Sequence, residues 1–395
     1  MNERMVNPVS NAELDRRWSA VRKVLAERGV DALIVQSNND WLGGHAKWLT
    51  DHPATNGYPK TVIFHANDFM TVVDMGPRGG RRKLGGNDEV HRGVGEILTT
   101  AAFTSVAYTD EYQAELVVSD IKRRAYTTVG IAGGGALPHK FMTRIEKELS
   151  PATALVDLTE AIDWLKAIKS PEELATIRKT ALMQDEIFAR LTAKVKPGMR
   201  DTEITALAQY EGRLLGSEQG LFLGTSAPLG VRAGFADRDM QGRVLKAGEH
   251  FSLLIENNGP GGLYTELART MVFGKASAEL ADGFAAMKAA QDHTLSLIKP
   301  GASCREIAAA HDDYMRARGF PPELRLYCHG QGYDLVERPL VRADETMSLA
   351  AGMNLAVHPG YETDSIFAVI CDNYIVQADG PSECLHKTEK KIFEL

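Results

Sequence analysis

Two glutamates ten residues apart, Glu256 and Glu266, bracket a dense run of turn-forming residues, Asn257-Asn258-Gly259-Pro260-Gly261-Gly262. The flanks read as strands: residues 251–256 are apolar up to the closing carboxylate, and residues 263–273 carry Glu266, Arg269 and Thr270. Gly and Asn accept positive φ and Pro ends a ladder, so this spacing predicts a hairpin with both carboxylates near the mouth of a sheet. Carboxylates buried there are costly unless something cationic meets them. A metal ion, a cationic substrate or Arg269 could fill that role. Left at the surface, the same two side chains are merely solvated. These residues alone leave both readings open.

The rest of the chain must supply a frame for that hairpin. With 395 residues there is room for two domains, and 44% hydrophobic and 25% charged residues are ordinary for a globular protein. A net charge of -7 leaves no basic excess for phosphates, which argues against a nucleic-acid partner. No apolar run of membrane-spanning length and no signal-peptide core is legible, so the expectation is a cytoplasmic protein without a membrane partner. The four cysteines, Cys304, Cys328, Cys371 and Cys384, show no C-x-x-C pairing and suggest neither a disulfide framework nor a zinc ribbon.

Along residues 1–160, helical periodicity at 12–28 alternates with apolar strands at 31–36, 61–64, 69–73 and 127–132 and with helices near 115–124 and 139–149, the pattern of an α/β domain. A charged, Gly-rich excursion spans residues 78–92, and its Gly- and Arg-rich opening, 77–86, lacks phosphate-loop order and reads as an exposed basic loop. Residues 161–395 then form the second domain. Ser170-Pro171-Glu172-Glu173 is a helix start with N-cap, N1 proline and an N3 acid. Lys-Pro-Gly occurs at 196–198 and again at 299–301, each followed by a predicted N-cap, Asp201 and Ser303.

Five phrases in this order resemble the creatinase, prolidase and aminopeptidase P family of pita-bread enzymes: Lys169-Ser170-Pro171, the hairpin with Glu266-Leu267-Ala268-Arg269-Thr270, His329-Gly330-Gln331-Gly332, Met353 to Gly360, and Ile370-Cys371-Asp372. The resemblance implies an α/β N-terminal domain followed by an α+β pita-bread domain, and a homodimer. In the family's metal-binding members an Asp stands eleven residues before the position of Glu266; here that residue is Ile255, with Glu256 one place on. His329 matches a ligand His, His358 stands at a ligand Glu, Cys371 at another, and Val336 replaces the second His of the H-G-x-G line. Because residue types alternate along a strand, Glu256 is expected on the face opposite Ile255, reaching the pocket only through a bulge.

This set is too poor in bridging acids for two metal ions. It implies two chemistries. Without metal or other cofactor, in the manner of creatinase, Glu266 and Glu256 hold a small cationic guanidino or amidine metabolite while His329 or His358 moves the proton of C–N hydrolysis. Alternatively one divalent ion such as zinc sits on Glu266, His329, His358 and Cys371. A lyase acting on an onium compound and a binding protein without turnover complete the range. Glu256 could also serve as a nucleophile. Glu337, Arg232 and Asp237 are expected to touch the small-molecule substrate. Trp41, His52, Asn56 and Tyr58 lie on a loop that, by the resemblance, closes over the partner's pocket.

Overall fold

The structure, a computed structural model, describes residues 7–395. It resolves into two compact units, the second running from Ala167 to Leu395. Among the described residues no helix is long and apolar enough to cross a membrane.

The first unit is built on a seven-stranded mixed sheet with the strand order Gly80–Lys83, Val94–Thr100, Met70–Met75, Lys60–His65, Ala32–Ser37, Thr128–Ile131, Ala154–Asp157. Helices Asp110–Arg123 and His139–Leu149 bury Val117, Ile121, Phe141 and Ile145 against Ile34 and Ile63 of the sheet. The reading of residues 77–86 as a loop needs correction. Gly80–Lys83 pairs antiparallel with Val94–Thr100, and its basic side chains find acids: Arg81 meets Glu96 at 2.6 Å across that pair. Edge position and cross-strand charge pairing let a segment with no apolar alternation form a strand.

The second unit opens with helix Pro171–Thr192. The Ser170 hydroxyl accepts from Glu173 N at 3.1 Å while Glu173 Oε2 accepts from Ser170 N at 2.8 Å, a reciprocal cap. Ser303 caps Cys304–Arg316 as expected. Asp201 does not cap: it is the first residue of helix Asp201–Leu214, and its Oδ2 accepts instead from Ser226 N at 3.0 Å.

Strands Glu249–Asn258 and Tyr264–Val272 form the hairpin, flanked by Gly220–Pro228 and Phe393–Glu394 in a four-stranded sheet. A five-stranded sheet contributes Cys328–Gly330, Asn354–Val357 and Asp372–Ile375. One antiparallel bridge, Ala268 to Cys371, links the two sheets, with N–H···O distances of 3.3 and 3.4 Å. Beside it the fully buried Arg269 donates to Asp372 Oδ1 at 2.6 Å and to the carbonyls of Cys371, Thr388 and Glu389. Helices pack Ile187, Phe188, Ile204 and Ala208 against Phe251, Leu253, Ile255 and Leu267, the core-facing residues of the hairpin. Strand Gly220–Pro228 is the sheet's edge, and its outward amides are answered locally: Gly224 N donates to Ala236 O and Ser226 N to Asp201.

Candidate active site

The hairpin ladder is regular from Tyr264↔Asn258 to Val272↔His250, and Glu266 lies directly across from Glu256. Directly paired residues of an antiparallel ladder project from the same face. Glu256 therefore shares the face of Glu266 with no bulge, which corrects the sequence expectation. Ile255 pairs with Leu267 and belongs to the helix-facing core, so counting eleven residues back from Glu266 lands on the wrong side of the sheet. Arg269 is excluded as the partner of the glutamates, because its guanidinium is committed to Asp372 and to the carbonyls of Ala268, Cys371, Thr388 and Glu389.

The second sheet brings the imidazoles. His329 pairs across the ladder with Ala356, and His358 follows two residues later, so all three share a face. Nε2 of His329 lies 3.6 Å and Nε2 of His358 lies 4.0 Å from Glu266 Oε2. Nδ1 of His329 sits 3.0 Å from Gly330 O; a carbonyl only accepts, so that nitrogen donates, and Nε2 is the atom turned toward Glu266. His358 is anchored by its backbone N–H to Tyr327 O at 2.7 Å, and its Nε2 is buried without a hydrogen-bond partner. Burial, against the pull of Glu266, drops the His358 pKa to about 4, so this ring is neutral near pH 7. Burial also opposes ionisation of Glu266, but His358 and His329 beside it prevail and hold its carboxyl at about 2.

Glu256 behaves in the opposite way. Burial, and then repulsion from Glu266, push its carboxyl well above the usual range, and a 2.9 Å bond from Gln331 Nε2 only partly offsets them. The two carboxyls of the face-sharing pair are thus pushed in opposite directions, the pattern expected of neighbouring acids that oppose each other's ionisation.

Among the described residues, Glu266, His329 and His358 each offer a ligand atom within 4.8 Å of the other two. One carboxylate and two imidazole nitrogens are a donor set that suits a single divalent ion with an open coordination position, and the unsatisfied Nε2 of His358 is the kind of atom such an ion satisfies. Cys371 is not part of this group. Its thiol donates to Glu266 O at 3.5 Å, and burial with Glu266 nearby raises its pKa far above neutrality, so the four-ligand set does not form. Cys371 packs with Leu254, Ala268, Ala356 and the half-buried Phe235, an apolar wall on the face that bears the acids.

The remaining candidates are dispersed. Glu337 is buried in an ion pair with Lys169, which occupies the charge expected to meet substrate. Arg232 is half-exposed and pairs with Glu362 at 3.1 Å; Asp237 is exposed on the same loop, whose contribution to the site's wall is Phe235 instead. In the first unit His52 is turned inward, its Nε2 2.7 Å from Val90 O and its ring stacked on His91. Asn56 accepts from Asp40 N, while Trp41 and Tyr58 are partly exposed. Sequence reading missed Gln331, Asn373 and Phe235. Gln331 sits inside a motif already noted and Asn373 directly after one, at positions where only packing reveals which way an amide points.

Comparison with known proteins agrees with this architecture. The model of metallopeptidase family M24 matches residues 175–378, just over half of the chain. A Sinorhizobium fredii protein described as a hydrolase/peptidase is 26% identical over 96% of both chains. The Xaa-Pro dipeptidase of Pyrococcus furiosus is 22% identical over 67% of this chain and 75% of its own. Among solved structures, a prolidase from Thermococcus sibiricus superposes with a TM-score of 0.78 at 17% identity, covering 98% of this chain and 100% of its own. The X-Pro aminopeptidase of Thermotoga maritima gives 0.77 at 14%, over 96% and 99%. At these identities the structural likeness speaks for the fold, which is the α/β unit plus pita-bread unit that the motifs implied.

Proposed function

This chain belongs to metallopeptidase family M24, and from that premise we propose that it hydrolyses a C–N bond using one divalent ion on Glu266, His329 and His358, with Glu256 as the proton donor. The reading rests on one observation above the others: a buried carboxylate and two imidazole nitrogens, each able to ligate, converge within 4.8 Å. A buried carboxylate is costly unless a cation meets it. A divalent ion held there supplies Lewis-acid polarisation of the electrophilic carbon and acidifies water.

The chain's own residues supply the proton traffic. Breaking a C–N bond leaves an amine or amide nitrogen that departs well only when protonated. Glu256, its carboxyl pushed well above the usual range by burial first and then by Glu266, carries that proton on the site-facing side of the hairpin. As Glu256 passes its proton to that nitrogen it becomes a carboxylate and takes the proton the adding water loses, so the acid is regenerated within the cycle. Glu266 remains the anion throughout. The names of the relatives make a peptide bond before proline the first substrate to test.

A second reading has support from the same acceptor set. Without metal, Glu266 can receive the N–H groups of a guanidinium or amidinium beside the two imidazoles, so that a small cationic metabolite itself is the cation. The experiment that separates the two measures metal content of protein purified without chelator, then amine and ammonia release from Xaa-Pro dipeptides and guanidino compounds, with and without chelator. One ion per chain, peptide turnover abolished by chelation, and loss of ion and turnover together in His358→Ala are the expected results. Turnover of a guanidino compound by chelated protein would transfer the assignment to the metal-free reading. No turnover of either class would reject a hydrolase.

A further inference from the structure

Three buried side-chain amides connect the backbone of one glutamate to the carboxyl of the other. The N–H of Glu266 donates to Asn373 Oδ1 at 2.6 Å. Asn373 Nδ2 donates to Gln331 Oε1 at 2.9 Å and to Asn354 Oδ1 at 3.1 Å. Gln331 Nε2 in turn donates to Glu256 Oε1 at 2.9 Å and to Leu335 O at 3.0 Å. Asn354 closes the group by donating from Nδ2 to Gln331 O at 3.1 Å. Gln331, Asn354 and Asn373 are all at most 1% exposed.

The sense of an amide is normally ambiguous, because its oxygen and nitrogen can exchange places. Here both ends of the chain are backbone groups of fixed polarity. A backbone N–H at Glu266 must donate, so Asn373 presents its oxygen there and its nitrogen to Gln331. A backbone carbonyl at Leu335 must accept, so Gln331 presents its nitrogen there. Approached from either end, Gln331 is a donor toward Glu256. Flipping it would face its oxygen against Leu335 O and its NH₂ against the NH₂ of Asn373, leaving buried groups unsatisfied.

We infer that Gln331 is a positioning residue for the reaction: oriented by Asn373 and Asn354, it holds Glu256 by Oε1 and leaves Oε2 as the atom that meets the leaving nitrogen. The inference rests on Glu256 being the proton donor. It adds that the donor's carboxyl plane is set from the strand bearing Glu266, through two amides, so that the two acids keep one relative geometry. Gln331 touches neither substrate nor ion; its effect passes through Glu256.

The test uses the full-length, metal-loaded protein with Gln331→Met, which removes the donor, and Gln331→Glu, which keeps the shape and the contact from Asn373 but cannot donate when ionised. In steady state on the Xaa-Pro dipeptide that turns over best, each variant should lose about 10- to 100-fold in kcat, the range seen when an outer partner of a reacting group is removed, with KM within about twofold. Bound manganese or zinc, titrated in parallel, should be unchanged, because Gln331 contacts none of the three donors' ligand atoms. In a Glu256→Gln background the same Gln331→Met change should cost no further kcat while still lowering Tm, which a merely structural role would not produce. Full additivity in that cycle would overturn the inference, as would unchanged kcat in both single variants. If no dipeptide is turned over by wild type, the proposed function fails by itself, and a crystal structure of Gln331→Met decides the positioning role. A Glu256 carboxyl rotated off its wild-type plane sustains it, and one left in place refutes it.

Discussion

Cys371→Ser separates the packing role of this residue from a ligand role. Cys371 is fully buried among Leu254, Ala268 and Ala356, with its thiol directed at Glu266 O 3.5 Å away. Exchanging sulfur for a hydroxyl puts a more polar group into an apolar cluster, at a cost of about 1–3 kcal/mol on protein mutational scales. The hydroxyl is the better donor to Glu266 O, and a hydrogen bond there returns about 0.5–1.5 kcal/mol. The net expectation is a loss of about 0.5–2 kcal/mol, or about 1–8 °C in Tm at 2–4 °C per kcal/mol for a domain of this size. Thermal denaturation followed by circular dichroism reads the stability, and elemental analysis on the same samples reads the metal. The ion content and most of the turnover should survive. A variant that folds with nearly wild-type Tm but has lost ion and turnover together would refute the three-donor site and make the thiol a ligand.

Other outcomes follow from the same geometry. Asp372→Asn leaves the buried Arg269 guanidinium uncompensated and should cost about 3–5 kcal/mol by denaturant titration. Ser170→Ala removes one half of a reciprocal cap and should cost about 1 kcal/mol; an unchanged midpoint would show that the helix start is held by other contacts. Glu256 has a raised folded pKa, so its contribution to stability is fully present below about pH 4.5 and is lost as pH rises through the folded value. Ion-free Glu256→Gln should therefore exceed ion-free wild type in stability at pH 8, and equal or lower stability would contradict the protonated state. His311 has its pKa lowered to about 4, chiefly by burial. Its contribution is present above about pH 6.5 and fades as pH falls through 4, so His311→Gln should flatten the acid limb of a Tm–pH curve.

The fold was legible because its signals are local. Ser170 with Glu173 caps a helix wherever the chain goes, and Asn257 to Gly262 turns whatever strands flank it. Residue types singled out in the sequence are neighbours in the fold: Glu256 lies across the ladder from Glu266, and His329 and His358 of the second sheet stand 3.6 and 4.0 Å from the Glu266 carboxylate. What sequence reading misjudged was parity. Counting from Glu266 to Ile255 follows the backbone around a loop, whereas the ladder pairs Glu266 with Glu256, and a loop's length carries no alternation. Gln331 and Asn373 were invisible for another reason, since their roles depend on which amide end faces which neighbour across 42 residues of sequence. Glu337 was misread because Lys169, 168 residues away, neutralises it.

The edge strand Gly220–Pro228 bears on how this protein behaves at high concentration. An open strand edge is a template on which another chain can add, and sheets with bare edges tend toward aggregation. Here two of the outward N–H groups are already occupied, by the carbonyl of Ala236 and by the carboxylate of Asp201. Asp201 is fully buried, so the charge that guards the edge is also removed from solvent and from competition by salt. The same loop that carries Phe235 to the wall of the site therefore closes the edge through Ala236. Solubility and pocket shape are tied to one stretch of backbone, and changes selected for a new substrate in that loop act on both.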